Sequence, residues 1–183
     1  MSTLTLDEQC AQARNEPTEQ AWEAVFVGLT RQYGASLERT CRGYERDEEL
    51  RVELVQEVWL GLWRGLRGFR GNSSLRTWVF RVCHNLAVTH IARRVRDPNQ
   101  ADLDIDGLAD RLESVEGALD RRRSRRVLAD LIRELKPPDR QLMLLYLEGL
   151  SHREIAEITG LSPSNVTTRT ARIKVALGRK VDR

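Results

Sequence analysis

The sequence predicts an all-α chain built as two small helical domains joined by an acidic linker, and three observations carry that prediction. Apolar residues recur at helical spacing in both halves, with no strand-like alternation. Glycine and proline are sparse, 12 and 5 in 183 residues, which disfavours dense hairpin turns. Charge falls into blocks beneath a net of only +3. Residues 1–57 carry six arginines against twelve acids, whereas residues 58–96 carry eight arginines and no acid. Residues 97–120 reverse this with eight acids and one arginine, and residues 121–183 hold fifteen basic residues against seven acids. Two basic blocks around an acidic one point to two polyanion-facing surfaces. Solvated helix faces would explain one such block more easily than a 39-residue run without an acid.

Taken in order, residues 1–19 read as an N-terminal tail and residues 20–96 as the first domain. Ala21, Val25, Leu29 and Tyr33 mark one helix; Leu54, Val58, Leu62 and Leu66 mark a second, with Trp59 and Trp63 on an adjoining stripe. Arg70-Gly71-Asn72-Ser73 is a turn, and Ser73 or Ser74 caps the helix that follows, with Leu75, Val79, Val82 and Leu86 along one side. Periodicity lapses from Asp97-Pro98 to Asp120, a linker composition. The second domain, 121–183, resumes with Val127, Leu128, Leu131, Ile132 and Leu135 and is interrupted at Pro137-Pro138. A short apolar helix from about Leu142 to Leu147 ends at Gly149.

From Ser151 the sequence reads SHREIAEITGLSPSNVTTRTARIKVAL. Ser151 and Glu154 have capping-box spacing, Gly160 suits a turn needing positive φ, and Ser162 with Pro163 opens the next helix. Val166, Thr170, Ile173 and Leu177 then form a buried stripe, leaving Thr167, Thr168, Ala171 and Arg172 for the exposed face. A short helix, a glycine turn and a second helix with a small, polar, cationic face fits the DNA major groove. An αα-hairpin packed on a partner is the plainer alternative.

Upstream, Phe69, Trp78 and Phe80 are interleaved with Arg67, Arg70, Arg76, Arg81, Arg93, Arg94 and Arg96. Aromatic platforms beside arginines suit single-stranded DNA, where bases stack and guanidinium groups hold phosphates. By spacing alone, Trp78 and Phe80 serve equally well as core residues.

These blocks resemble the extracytoplasmic-function sigma factors of the sigma-70-like family. LVQEVWLGLW at 54–63 resembles the polymerase-binding helix of region two, and FRGNSSLRTWVFRVCHNLA at 69–87 resembles the segment that melts and captures the −10 strand. The 121–183 block resembles region four. The resemblance implies core RNA polymerase and promoter DNA as partners, with an anti-sigma factor a further candidate. It assigns Glu53, Gln56, Glu57, Trp59 and Trp63 to the clamp helices of the largest polymerase subunit, and region four to the flap of the second-largest. It assigns Arg76, Trp78, Arg81, Asn85, Arg93, Arg94 and Arg96 to −10 DNA, with Asn85 beside a flipped base and 93–97 setting base choice. Ser164, Thr167, Thr168, Ala171 and Arg172 would read −35 duplex, and the linker would thread into the polymerase or serve as a solvated tether. The chain departs from the family in a thinned acidic cluster (Arg51, Val52, Glu53), in Thr89 and His90 where an acid is common, and in Thr170 and Ile173-Lys174.

No Gly-rich phosphate loop, Ser/His/Asp set or paired-carboxylate motif is visible, so no catalytic residue and no cofactor is expected. Cys83, His84 and His90 lack a fourth ligand at zinc spacing; a buried cysteine and a histidine on a polar face are expected instead. Three widely spaced cysteines, and Asp7 and Glu8 where a secretory signal needs positive charge, predict a cytoplasmic protein without membrane insertion. The rival reading is a stand-alone helix-turn-helix regulator, which has no need of a cationic aromatic surface at 54–96. An all-α hydrolase would require a bound metal.

Overall fold

The computed structural model describes residues 4–45, 47–96, 128, 131–132 and 134–181, so the 97–120 linker lies outside the described residues. Among those described the chain is helical without strands, and no helix is long and apolar enough to cross a membrane. The helices are α1 Leu6–Asn15, α2 Glu19–Tyr44, α3 Glu48–Leu66 and α4 Leu75–Arg96 in the first half. In the second half they are α5 Pro137–Leu147, α6 His152–Thr159 and α7 Pro163–Val181.

Within the segment expected to be an N-terminal tail, Leu6–Asn15 form a packed helix. Thr5 and Glu8 close a capping box at the start of α1, and Leu6, Cys10 and Ala13 bury one face of that helix. Arg14 lies 5.6 Å over the Phe69 ring, tying α1 to the turn before α4.

The expected stripes of α2 and α3 form the core, with Val25, Leu29 and Tyr33 meeting Leu54, Val58, Leu62 and Leu66. Full burial of each such leucine contributes about 1.5–3 kcal/mol. Helix α4 is rotated from the expected stripe. Leu75, Val79, Phe80, Cys83 and Ala87 are buried, whereas Val82 and Leu86 are half-buried. Leu86 lies over Gly61 of α3, where a Cβ would stand 2.7 Å from its Cδ1. Phe80 is therefore core, edge-on to Tyr33 at 6.2 Å between centroids.

His84 and His90 are buried rather than set on a polar face, because the rotation turns both inward. His84 Nδ1 pairs with the Tyr44 hydroxyl at 2.8 Å, and burial holds its pKa below the usual imidazole range. His90 Nε2 sits 3.3 Å from the buried carboxylate of Glu45.

In the second half the paired prolines start α5 at its first positions, where missing amide hydrogens cost nothing. Ile132, Met143, Ile173 and Leu177 pack together, with Leu128, Leu131 and Leu135 beside them. One apolar cluster continues from α1–α4 into Leu142, Leu145, Leu150, Ile155 and Ile158, so the two halves touch.

Candidate nucleic-acid interface

Local rules build the helix-turn-helix. The hydroxyl of Ser151 accepts the Glu154 amide while Glu154 accepts from the Ser151 amide at 2.8 Å, fixing the start of α6. Gly160 ends it at φ 74°, ψ 8°, a left-handed cap that a β-carbon disfavours. The Asn165 amide then donates to Ser162 Oγ at 3.3 Å, opening α7.

On α7 the four stripe residues, Val166, Thr170, Ile173 and Leu177, are buried. Ser164, Thr167, Thr168, Ala171 and Arg172 are all exposed on the opposite face. The hydroxyls of Thr167 and Thr168 donate at 2.9 Å to the Pro163 and Ser164 carbonyls. Each therefore presents an oxygen acceptor and a methyl group outward, suited to base amino groups and thymine methyls. Thr167 Oγ1 also lies 3.0 Å from His152 Nδ1.

Asp139, at the start of α5, carries no sequence signal that marks it. Its carboxylate accepts from Arg169 Nε at 2.9 Å and Nη2 at 2.5 Å, and lies 3.6 Å from Arg172 Nη2. It locks Arg169 inward and leaves Arg172 69% exposed beside it.

On α4, Asn85 is exposed. Trp78 is half-buried, its ring 5.3 Å from that of Phe69, so part of it belongs to the core. Arg93 pairs with Glu57 at 3.3 Å and Arg96 is exposed. Arg94 is engaged by the nearly inaccessible Glu45 carboxylate at the end of α2, a structural pair rather than a free phosphate contact. Arg76 and Arg81 reach across to the second half, to the Glu148 carbonyl and the Glu157 carboxylate.

On α3, Glu53 and Gln56 are exposed, and Glu57, Trp59 and Trp63 are half-buried. Trp59 and Trp63 meet Phe26 edge-on at 5.9 and 5.0 Å. Leu60, 45% exposed, shares this face by i+3 and i+4 spacing and is absent from the set expected from sequence; a leucine between Gln56 and Trp63 is the signal that could have found it. Among the described residues no cluster of three or more potential metal ligands exists.

The family model for sigma-70 region 2 matches residues 29–97, and that for sigma-70 region 4 matches residues 125–177. The ECF RNA polymerase sigma-E factor of Escherichia coli K12 is 28% identical over 138 residues, covering 70% of this chain and 72% of its own. The RNA polymerase sigma-H factor of Pseudomonas aeruginosa is 29% identical over 145 residues, covering 73% and 74%. In fold the chain is similar to CnrH, solved with the cytosolic domain of CnrY (TM-score 0.65, 22% identity, 97% and 98% covered). It is also similar to RpoE of Bartonella quintana, solved with the anti-sigma factor NepR (TM-score 0.66, 19% identity, 85% and 98% covered). Sigma factors are non-catalytic subunits that direct core RNA polymerase to promoter DNA. With both regions matched in order, over residues 29–97 and 125–177, this chain belongs to the sigma-70 family and is similar to its ECF members.

Proposed function

We propose that the chain joins core RNA polymerase in the cytoplasm and reads a promoter at two points, −35 as duplex and −10 as a melted strand. The α3 face of Glu53, Gln56, Glu57, Leu60, Trp59 and Trp63 seats on the clamp helices, and the 121–183 unit stands at the flap. Helix α7 reads −35 through Ser164, Thr167, Thr168, Ala171 and Arg172. Helix α4 captures the −10 strand, with Asn85 beside a flipped base. The observation that carries this reading is the complete exposure of the α7 set opposite a fully buried stripe. Stacking groups and an amide need an unpaired base, whereas a recognition helix needs an intact groove. Since CnrH and RpoE were each solved with a protein partner, we extend to this chain a partner of the anti-sigma class.

In the holoenzyme, Asn85→Ala should reduce permanganate-detected strand opening while upstream footprinting persists. A template already unpaired around −10 should restore opening in part, because a few kcal/mol of unpairing cost is gone. Loss of upstream protection with undiminished permanganate reactivity would overturn this division of labour.

A further inference from the structure

One histidine stands behind the exposed face of α7. His152 is the first residue of α6, placed there by the Ser151–Glu154 box, and its Nδ1 lies 3.0 Å from Thr167 Oγ1. Its ring is stacked on Tyr146 of α5, with centroids 5.9 Å apart and planes at 27°. Lys174 Nζ sits 5.2 Å over the Tyr146 ring and donates to its hydroxyl at 3.2 Å. Tyr146 and His152 thus bracket α7 between Thr167 and Lys174, about two helical turns. The stack fixes the imidazole plane and, with it, the direction of Nδ1.

Two observations place the proton. The Thr167 hydroxyl has a single hydrogen, which it donates to the Pro163 carbonyl at 2.9 Å, so Nδ1 must be the donor toward Oγ1. His152 Nε2 is buried without a hydrogen-bond partner among the described residues, and an orphaned acceptor is tolerated more readily than an orphaned N–H. Both put the hydrogen on Nδ1. Around Oγ1, one direction then carries its hydrogen to Pro163, a second accepts from His152, and one lone pair remains outward. We infer that His152 is a positioning residue for sequence readout: it holds Thr167 as a hydrogen-bond acceptor, so that the chain selects a base amino group at the pair beneath it. The inference rests on the assignment of Thr167 to −35 duplex. A hydroxyl left free serves base donors and acceptors alike. In the major groove adenine N6 and cytosine N4 donate, whereas guanine O6 and thymine O4 accept. The pair beneath Thr167 should therefore admit A·T and C·G with the amino base on one strand, and disfavour both when the strands are exchanged. Thr168 bonds in the same way to the Ser164 carbonyl, but among the described residues no second group binds its hydroxyl, so it serves as an internal comparison.

The test is holoenzyme binding to promoters randomised at −35, read by sequencing, with the melting temperature of each variant measured beside it. Thr167→Val removes the hydroxyl, keeps the shape, and identifies the base pair concerned. His152→Phe keeps a ring on Tyr146 but has no Nδ1–H. It should reduce amino-base preference at that same pair about threefold to tenfold, the range of one hydrogen bond, and leave the pair beneath Thr168 unaltered. His152→Asn, whose amide can occupy the Nδ1 position, should retain the preference. Thr167→Val combined with His152→Phe should match Thr167→Val alone at that pair. A preference at the Thr167 pair that survives His152→Phe overturns the inference and leaves the α7 assignment standing. So does a loss spread evenly over every base pair, which would make His152 a packing residue. A Thr167 pair that admits A·T equally in both orientations also overturns it. If Thr167→Val shifts no base preference, the assignment of Thr167 to −35 fails, and the inference with it.

Discussion

Arg169 and Arg172 lie three residues apart on one helix and share a carboxylate, yet their removal should have opposite consequences. Arg172 is 69% exposed and its tie to Asp139 is 3.6 Å long. Exposed pairs of this kind are worth about 0–1 kcal/mol, and alanine is a good helix former, so Arg172→Ala should change stability by less than about 0.5 kcal/mol. If its guanidinium reads guanine at −35, discrimination should fall by about 1–3 kcal/mol, a factor of about 5–150 at one base pair. Arg169 is 24% exposed and donates twice to a carboxylate that is only 16% exposed. Hydrogen bonds to a charged group contribute about 1.5–3 kcal/mol, so Arg169→Ala should destabilise the chain by about 2 kcal/mol and leave base preference unaltered. Urea unfolding measures the first quantity. Holoenzyme binding to a library randomised at −35, read by sequencing, measures the second. A uniform loss across all sequences for Arg172→Ala would make it a phosphate contact. Altered base preference in Arg169→Ala at full stability would refute the role given to Asp139.

Leu60→Glu replaces an exposed apolar side chain with a helix-compatible acid, so the melting temperature should hold while affinity for core polymerase falls tenfold or more, about 1.4 kcal/mol. Unchanged co-elution with polymerase would remove Leu60 from the interface. Gly160→Ala has open space around its Cβ but must keep φ near 74°, so it should cost about 1–2 kcal/mol in urea unfolding, from backbone conformation alone. His84 has a folded pKa below its unfolded value. Its contribution is therefore complete above about pH 6.5 and is lost as pH falls from there toward the folded pKa. The urea midpoint should drop between pH 7 and 5, and His84→Gln should flatten part of that drop; identical pH slopes in both proteins would refute the assignment.

Features governed by neighbours within four residues are legible in the sequence. The Ser151–Glu154 box, the left-handed Gly160, the prolines that open α5 and α7, and the two faces of α7 all follow from local geometry. The same logic applies to α1, where Thr5 and Glu8 are followed by Leu6, Cys10 and Ala13, although the segment reads at first as a tail. Periodicity identifies α4 as a helix but misplaces its buried arc, because its apolar residues run almost all the way round and only packing against α2 and α3 selects the face. The inward turn of His84 and His90 follows from that choice.

Sequence by itself determined the helical class, α7 with its outward residues, and the family's two regions, since each is written in short-range spacing. Tertiary structure alone decided which charges are available. Glu45 engages Arg94 49 residues away, Asp139 holds Arg169 across 30, and Glu148 binds Arg39 across 109. No period links such positions: their meeting depends on how separate helices pack, and a charge pattern along the chain cannot distinguish an arginine facing DNA from one already held by a carboxylate.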